Sequence, residues 1–161
     1  MRLINTLGSK SAISIAISVV AHIGYRRLIE HVIAGKAVCA EEALTEDYRR
    51  YIRQVVLNCK AMANEFIKRG FNVVSGGTDN HLFLLDLRDT GLSGKAVQDE
   101  LDKHGITLNK NMVPGDTRSP VQTSGVRIGT AAMTTKGYLQ GDFIRVADEI
   151  ADIIEKMKEA L

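Results

Sequence analysis

The feature that most limits the fold of this sequence is a long amphipathic segment at residues 48–68. Its apolar residues recur at steps of three and four, the spacing of one face of a helix. They are Tyr48, Tyr51, Ile52, Val55, Val56, Cys59, Met62, Ala63 and Phe66. Thr45 can accept a hydrogen bond from the first turn, and Gly70 is suited to end the helix. The segment therefore predicts one long helix that can serve as the spine of a domain.

Other segments predict three further helices and four short strands. Helical spacing appears at 28–44 and 142–161, and Ser93 can cap a helix at 94–104. Short apolar runs bounded by turn residues predict strands at 71–75, 81–87, 106–108 and 126–129. Helices beside a small, mostly antiparallel sheet define an α+β domain.

The composition indicates one globular domain and argues against some partners. The 161 residues are 45% hydrophobic, and 21 basic residues face 19 acidic ones for a net charge of +2. A net charge so close to zero gives no strong electrostatic field to attract nucleic acid or an anionic membrane. Aromatic residues make up only 5% of the chain and include no Trp, so few side chains could stack on bases. The apolar run at 11–25 is interrupted and too short to span a bilayer. We expect no nucleic-acid or membrane partner.

The two cysteines, Cys39 and Cys59, both fall in predicted helices. We expect buried, free thiols in a reducing compartment, which is consistent with a cytoplasmic protein. They form no CxxC motif and no cluster with histidines, so the sequence predicts no metal site.

A polar loop at 109–125 holds most of the groups that could bind a ligand. The amides of Asn109 and Asn111 can donate and accept together, which suits the edge of a heterocycle. Farther along are three hydroxyls and two glycines that allow close backbone approach: Ser119, Thr123 and Ser124, and Gly115 and Gly125.

Arg127 follows this loop and has two interpretations. It stands between Val126 and Ile128, so strand alternation directs it away from them. Its guanidinium could hold a substrate carboxylate through two parallel hydrogen bonds. It could instead be a surface arginine, and spacing alone favours this second interpretation.

His81, which ends the turn at 75–81, is equally open. Its ring could act as a ligand, as a catalytic base or as a structural hydrogen-bonding group, and spacing alone favours the last.

Several segments together resemble serine hydroxymethyltransferase. They are HVIAGKAV at 31–38, SGGTDNHLFLLDL at 75–87, GK at 94–95, ITLNKN at 106–111, VPGDTRSP at 113–120 and TSGVRIGT at 123–130. Their order and spacing are those of the family over residues 28–155. The resemblance implies the small C-terminal domain of the aspartate-aminotransferase-like architecture (pyridoxal-phosphate fold type I), preceded by its long helix. Residues 28–161 would form this domain, and residues 1–27 would lie outside it.

The resemblance also implies roles for individual residues. Arg127 aligns with the arginine that binds the carboxylate of serine or glycine, which reverses the preference for a surface role. Asn111 aligns with an asparagine on the pterin ring of tetrahydrofolate. Ser119, Pro120 and Val121 align with a folate-contacting stretch. The implied reaction is the reversible transfer of a one-carbon unit between serine and tetrahydrofolate.

The chain departs from the family in several places. Ala131, Lys136, Gly115 and Thr117 are mild replacements, but 26–30 reads RRLIE where the family has a glycine-rich, phosphate-binding stretch. The family holds pyridoxal phosphate on a lysine in an upstream THK-type motif. Lys136 aligns with a different segment, so we expect this chain to hold no covalent cofactor and to be inactive alone.

Three functions remain open from the sequence. The chain could be part of a serine hydroxymethyltransferase that associates with the missing N-terminal half or with itself. It could be a non-catalytic module that binds folate, an anion or a partner protein, and the helix at 28–44 should then keep an exposed apolar face. It could also be the product of a decayed gene.

Overall fold

A computed structural model describes residues 30–161 and divides the chain into two units, residues 1–50 and 51–161. The predictions for residues 1–27 and for the run at 11–25 lie outside the described residues. No helix within residues 30–161 is both long and apolar enough to cross a membrane.

In the first unit, helix α1 (Glu30–Glu42) confirms the helix predicted at 28–44. None of its residues is buried, and Val32 and Val38 are 42% and 55% exposed. These two side chains are six residues apart and point about 120° away from each other, so the exposed apolar residues do not form the single apolar face that was predicted. The prediction that both cysteines are buried is wrong for Cys39, because no side chain of α1 is packed into a core.

Helix α2 (Glu46–Lys68) begins with the last residues of the first unit, and its residues from Tyr51 onward belong to the second. The Tyr48 N–H donates to the Thr45 hydroxyl at 3.2 Å, which confirms the predicted cap. Gly70 follows the last turn with a φ of +82°, as a helix-ending glycine should. The predicted spine is correct in position and length, and its buried face is Val55, Asn58, Cys59, Met62, Ala63 and Phe66.

The sheet contains four antiparallel strands in the order β1-β2-β4-β3. They are β1 (Asn72–Val73), β2 (Leu82–Asp86), β3 (Asn109–Asn111) and β4 (Gly125–Gly129). β1 is shorter than predicted because Ser75 and Gly76 adopt positive φ angles of 66° and 67°, which turn the chain out of the sheet.

The strand predicted at 106–108 is wrong, and the strand lies at 109–111 instead. The Ile106 N–H bonds to the Leu101 carbonyl, so this segment closes the preceding helix. Leu108 is buried in the core, but pairing with β4 begins only at Asn109. The strand is polar because it lies at the edge of the sheet.

Helices cover the inner face of the sheet and complete an α+β domain, as predicted. Helix α3 (Gly94–Lys103) is capped by Ser93, whose hydroxyl accepts from the Ala96 N–H at 3.1 Å. The short α4 (Ala131–Thr135) was not predicted, and α5 (Gln140–Glu159) confirms the last predicted helix. The rings of Phe66 and Phe83 lie 5.8 Å apart in the core between α2 and β2.

Candidate functional site

Strand alternation in β4 divides its side chains between two faces, as predicted. Val126 and Ile128 are buried in the core, whereas Arg127 is exposed on the outer face of the sheet. Among the residues that the structure describes, none forms a hydrogen bond or an ion pair with the Arg127 side chain. Its guanidinium is therefore available to a ligand.

The register places Arg127 in the middle of a row across the outer face. Its cross-strand partners are Leu84 on β2 and Asn109 on β3. Asn111 pairs with Gly125, so it lies on the same face as Arg127 and diagonally from it. Such diagonal neighbours are separated by roughly 7–8 Å. The structure thus brings Arg127, Asn109 and Asn111 together on one face.

One of the two polar groups of the Asn111 amide is already hydrogen-bonded to the neighbouring backbone. Its Nδ2 donates to the Met112 carbonyl at 2.7 Å, and the residue is partly exposed. Its Oδ1 accepts no hydrogen bond from the part of the chain that the structure describes. One acceptor of this amide therefore stays open to a ligand.

The predicted folate contacts Ser119, Pro120 and Val121 form an exposed turn in the loop between β3 and β4. The Ser119 carbonyl accepts from the N–H groups of Gln122 and Thr123 at 3.0 and 2.9 Å. Val121 is 64% exposed. No hydrogen bond joins this turn to Arg127, so the structure does not itself connect the two groups of predicted contacts.

The centre of this loop is a carboxylate that sequence reasoning missed. Asp116 Oδ2 accepts from the N–H groups of Ser124 and Val113, at 2.8 and 3.3 Å. Its Oδ1 accepts from the Ser124 hydroxyl at 2.7 Å and from the Arg118 N–H at 2.9 Å. The Ser124 hydroxyl and these N–H groups lower the pKa of Asp116 to about 2. The hydrogen bond from the Arg118 N–H, two residues after Asp116, was recognisable from the sequence, because aspartates often form it in turns. The hydrogen bonds from Ser124, eight residues away, were not.

The loop is also fixed to the N-terminus of α3. The Gly94 N–H donates to the Thr123 carbonyl at 3.1 Å, and the Lys95 N–H donates to the Gln122 carbonyl at 2.9 Å. The backbones can approach this closely only because Gly94 has no Cβ, which would lie 2.1 Å from the Gly125 carbonyl oxygen. The first free N–H groups of the helix are thereby satisfied by the loop.

Arg118 anchors the loop from its outer side. Its guanidinium donates to the carbonyls of Leu92 and Gly91 at 2.5 and 2.8 Å. The loop is therefore held to its surroundings by a carboxylate, a helix N-terminus and a guanidinium.

The turn at 75–81 is ordered by its own side chains, as predicted. The Thr78 hydroxyl donates to the Leu82 carbonyl at 2.6 Å, and Asn80 Oδ1 accepts from the Leu82 N–H at 2.9 Å. The His81 carbonyl accepts from the Thr130 N–H at 3.0 Å, whereas its ring has no hydrogen-bond partner among residues 30–161. A groove of about 670 Å³ runs beside this turn and reaches Leu84, the neighbour of Arg127. Within the described residues, no group of three or more potential metal ligands converges.

Comparison with known proteins identifies the family. The family model described as serine hydroxymethyltransferase matches residues 14–150. The chain belongs to the serine hydroxymethyltransferase family. The resemblance seen in the motifs is thus confirmed. The match begins within residues 1–27, which the motifs leave outside the family, so a domain boundary at residue 27 stays a prediction.

Individual members of the serine hydroxymethyltransferase family match most of this chain. A serine hydroxymethyltransferase of Halorhodospira halophila is 54% identical over 127 residues, which cover 79% of this chain and 30% of that protein. A probable serine hydroxymethyltransferase of Rickettsia bellii is 48% identical over 130 residues, which cover 81% of this chain and 31% of that protein. The chain thus spans just under a third of the length of these curated relatives.

Proposed function

We propose that this chain provides the amino-acid carboxylate site and the folate contacts of a serine hydroxymethyltransferase. That enzyme would reversibly convert serine and tetrahydrofolate to glycine and methylenetetrahydrofolate. Arg127 would bind the amino-acid carboxylate, Asn111 the pterin ring, and Ser119, Pro120 and Val121 other parts of the folate. The observation that supports this most is the exposed Arg127 guanidinium, which has no partner in the described chain and lies beside Asn109 and Asn111.

The position of Arg127 suits an orienting contact. The residue belongs to a strand paired on both sides, so the start of its side chain is fixed by the sheet. A guanidinium donates two parallel hydrogen bonds to a carboxylate, which sets the direction of the bound amino acid as well as its affinity. Leu84 on one side excludes some water and strengthens that charge interaction.

The same face does not by itself fit pyridoxal phosphate. Such a site needs a lysine amine and is usually bounded by an aromatic ring. The residues paired with Arg127 are Leu84 and Asn109, which provide neither group. We therefore propose that the cofactor is held by other residues, that the 161-residue chain has no turnover alone, and that the functional enzyme is a cytoplasmic assembly of pyridoxal-phosphate fold type I.

The role of Arg127 can be tested in a chimera. In it, this chain replaces the matching segment of the Halorhodospira halophila relative. Arg127→Lys keeps the charge but removes the paired geometry, which costs about 1.5–3 kcal/mol and should raise the KM for serine about 10- to 100-fold. The matched control is Arg53→Lys, since Arg53 is exposed on α2 and has no ion pair within residues 30–161. A KM for serine within twofold of the unsubstituted chimera would contradict the proposal.

A second candidate, a module that binds a partner protein, is favoured by α1. A helix of 13 residues with no buried side chain is marginal in water on its own. A partner that covers the exposed side chain of Val38 would stabilise it. Sedimentation velocity should then show association that Val38→Glu abolishes. A monomer at every concentration, with and without a relative's N-terminal part, would exclude this function.

A further inference from the structure

We infer that Asp116 is the positioning residue for folate binding, because its carboxylate holds the loop at 112–124 in one shape. The inference rests on the proposed function, since Asn111 and Ser119–Val121 are taken as the folate contacts. Asp116 itself would touch no substrate. Its role would be to fix the distance and direction between those two groups of contacts.

One oxygen of Asp116 joins the two ends of the loop. Oδ2 accepts from the N–H of Val113, near the start, and from the N–H of Ser124, at the end. Both of these residues are buried, with 4% and 2% of their surface exposed. The carboxylate therefore closes the loop against the sheet, and the Val113 contact fixes the chain two residues after Asn111.

The other oxygen fixes the exposed turn. Oδ1 accepts from the Arg118 N–H, one residue before Ser119, at 2.9 Å. The same turn ends at Thr123, whose φ of +54° is unusual for a residue with a branched side chain. The Thr123 carbonyl accepts from Gly94 and its N–H donates to Ser119, so hydrogen bonds keep it in this conformation.

The result is a folate surface that is ordered before folate arrives. A loop that must order itself on binding loses part of its affinity to that ordering, and a preformed one does not. Of the residues that the structure describes, Asp116 alone contacts both ends of the loop and the start of the turn through a side chain.

An amide cannot replace this carboxylate. All four contacts of Asp116 use it as an acceptor, and three of them come from backbone N–H groups. In Asp116→Asn, the amide nitrogen would have to face at least one of those N–H groups, and two donors repel each other. The substitution is nearly isosteric, so it tests the hydrogen bonds rather than the packing.

The first measurement is hydrogen exchange on the 161-residue chain. We expect Asp116→Asn to raise the exchange rates of the Val113, Arg118 and Ser124 amides at least about tenfold, the effect of losing one to two hydrogen bonds. Amides in α5 should keep their rates. The control is Asp102→Asn, which removes one negative charge from an exposed position of α3. Unchanged exchange at the three loop amides would overturn the inference whatever the function of the chain.

The second measurement separates positioning from general damage. In the chimera with the Halorhodospira halophila relative, Asp116→Asn should raise the KM for tetrahydrofolate about tenfold and leave the KM for serine within twofold. Equal increases in both constants, or neither, would overturn the positioning role. Failure of Arg127→Lys to change the KM for serine would instead refute the proposed function, and the exchange result would still decide whether Asp116 holds the loop.

Discussion

Gly94 offers the sharpest test of how the ligand loop is attached to the domain. Replacing Gly94 by Ala adds one methyl group at the first residue of α3. Helix propensity alone predicts a gain, because alanine is favoured over glycine in helices by about 1 kcal/mol. The structure predicts the opposite, since the added Cβ would lie 2.1 Å from the Gly125 carbonyl oxygen and 2.2 Å from the Thr123 hydroxyl.

The expected loss can be estimated from these contacts. The Gly125 oxygen belongs to the backbone of β4 and cannot rotate away, so α3 and the sheet must separate. Overpacking of this kind costs about 1–3 kcal/mol. The separation also weakens the hydrogen bonds that Gly94 and Lys95 donate to the loop, each worth about 1 kcal/mol. We expect the free energy of unfolding to fall by about 2–4 kcal/mol.

Urea unfolding followed by circular dichroism measures this difference. With a slope of about 2 kcal/mol per molar urea, the midpoint of Gly94→Ala should fall by about 1–2 M. The matched control is Gly141→Ala in the first turn of α5, where an added Cβ meets nothing within 4 Å. That control should be neutral or stabilised by about 0.4–1 kcal/mol. The reasoning is refuted if Gly94→Ala unfolds at the same urea concentration as Gly141→Ala.

Three other predictions follow from buried and exposed groups. Asn58→Ala should lower the free energy of unfolding by about 2–3 kcal/mol, because it removes a fully buried amide that donates to the Thr134 hydroxyl at 2.8 Å. Asn64 is exposed on the same helix, so Asn64→Ala should change the free energy of unfolding by less than about 0.5 kcal/mol in the same urea assay. Folding lowers the pKa of Asp116, so the stabilisation that this carboxylate contributes is present above pH 3.8 and is lost as the pH falls towards 2. Between these pH values, the free energy of unfolding of Asp116→Asn should therefore fall less than that of the unsubstituted chain. A thiol reagent should modify the exposed Cys39 in the native chain and Cys59 only after unfolding, because Cys59 is buried and burial raises the pKa of its thiol. Equal rates of modification of the two cysteines in the native chain would contradict this.

Local signals in the sequence predicted the helices well. Residues 48–68 contain the periodic apolar face, Thr45 and Gly70 on either side begin and end the helix, and the structure has Glu46–Lys68. Ser93 likewise located α3, because an N-cap acts on N–H groups only a few residues away. Signals of this kind can be recognised without knowing what the rest of the chain does.

The errors arose where a distant partner determines the structure. Ile106 and Leu108 are apolar enough for a strand, but pairing with β4 selects the polar residues that follow them. Cys39 was expected to be a buried free thiol within a predicted helix, yet burial requires a packing partner that the local sequence cannot supply. Asp116 was missed for the same reason, since its role depends on Val113 and Ser124 meeting at one carboxylate.

Arg127 and Asp116 show how two charged groups of this region divide between binding and folding. Folding uses all of the contacts that Asp116 makes, whereas Arg127 has no hydrogen-bond partner among the described residues. Arg127→Gln should therefore change the free energy of unfolding by less than about 0.5 kcal/mol, as expected for an exposed group without structural contacts. In the chimera, the same substitution should raise the KM for serine at least as much as Arg127→Lys, because both the charge and the paired geometry are lost. A loss of stability above about 1 kcal/mol in urea unfolding would mean that folding already uses this guanidinium, and the argument that it is available for a carboxylate would fail.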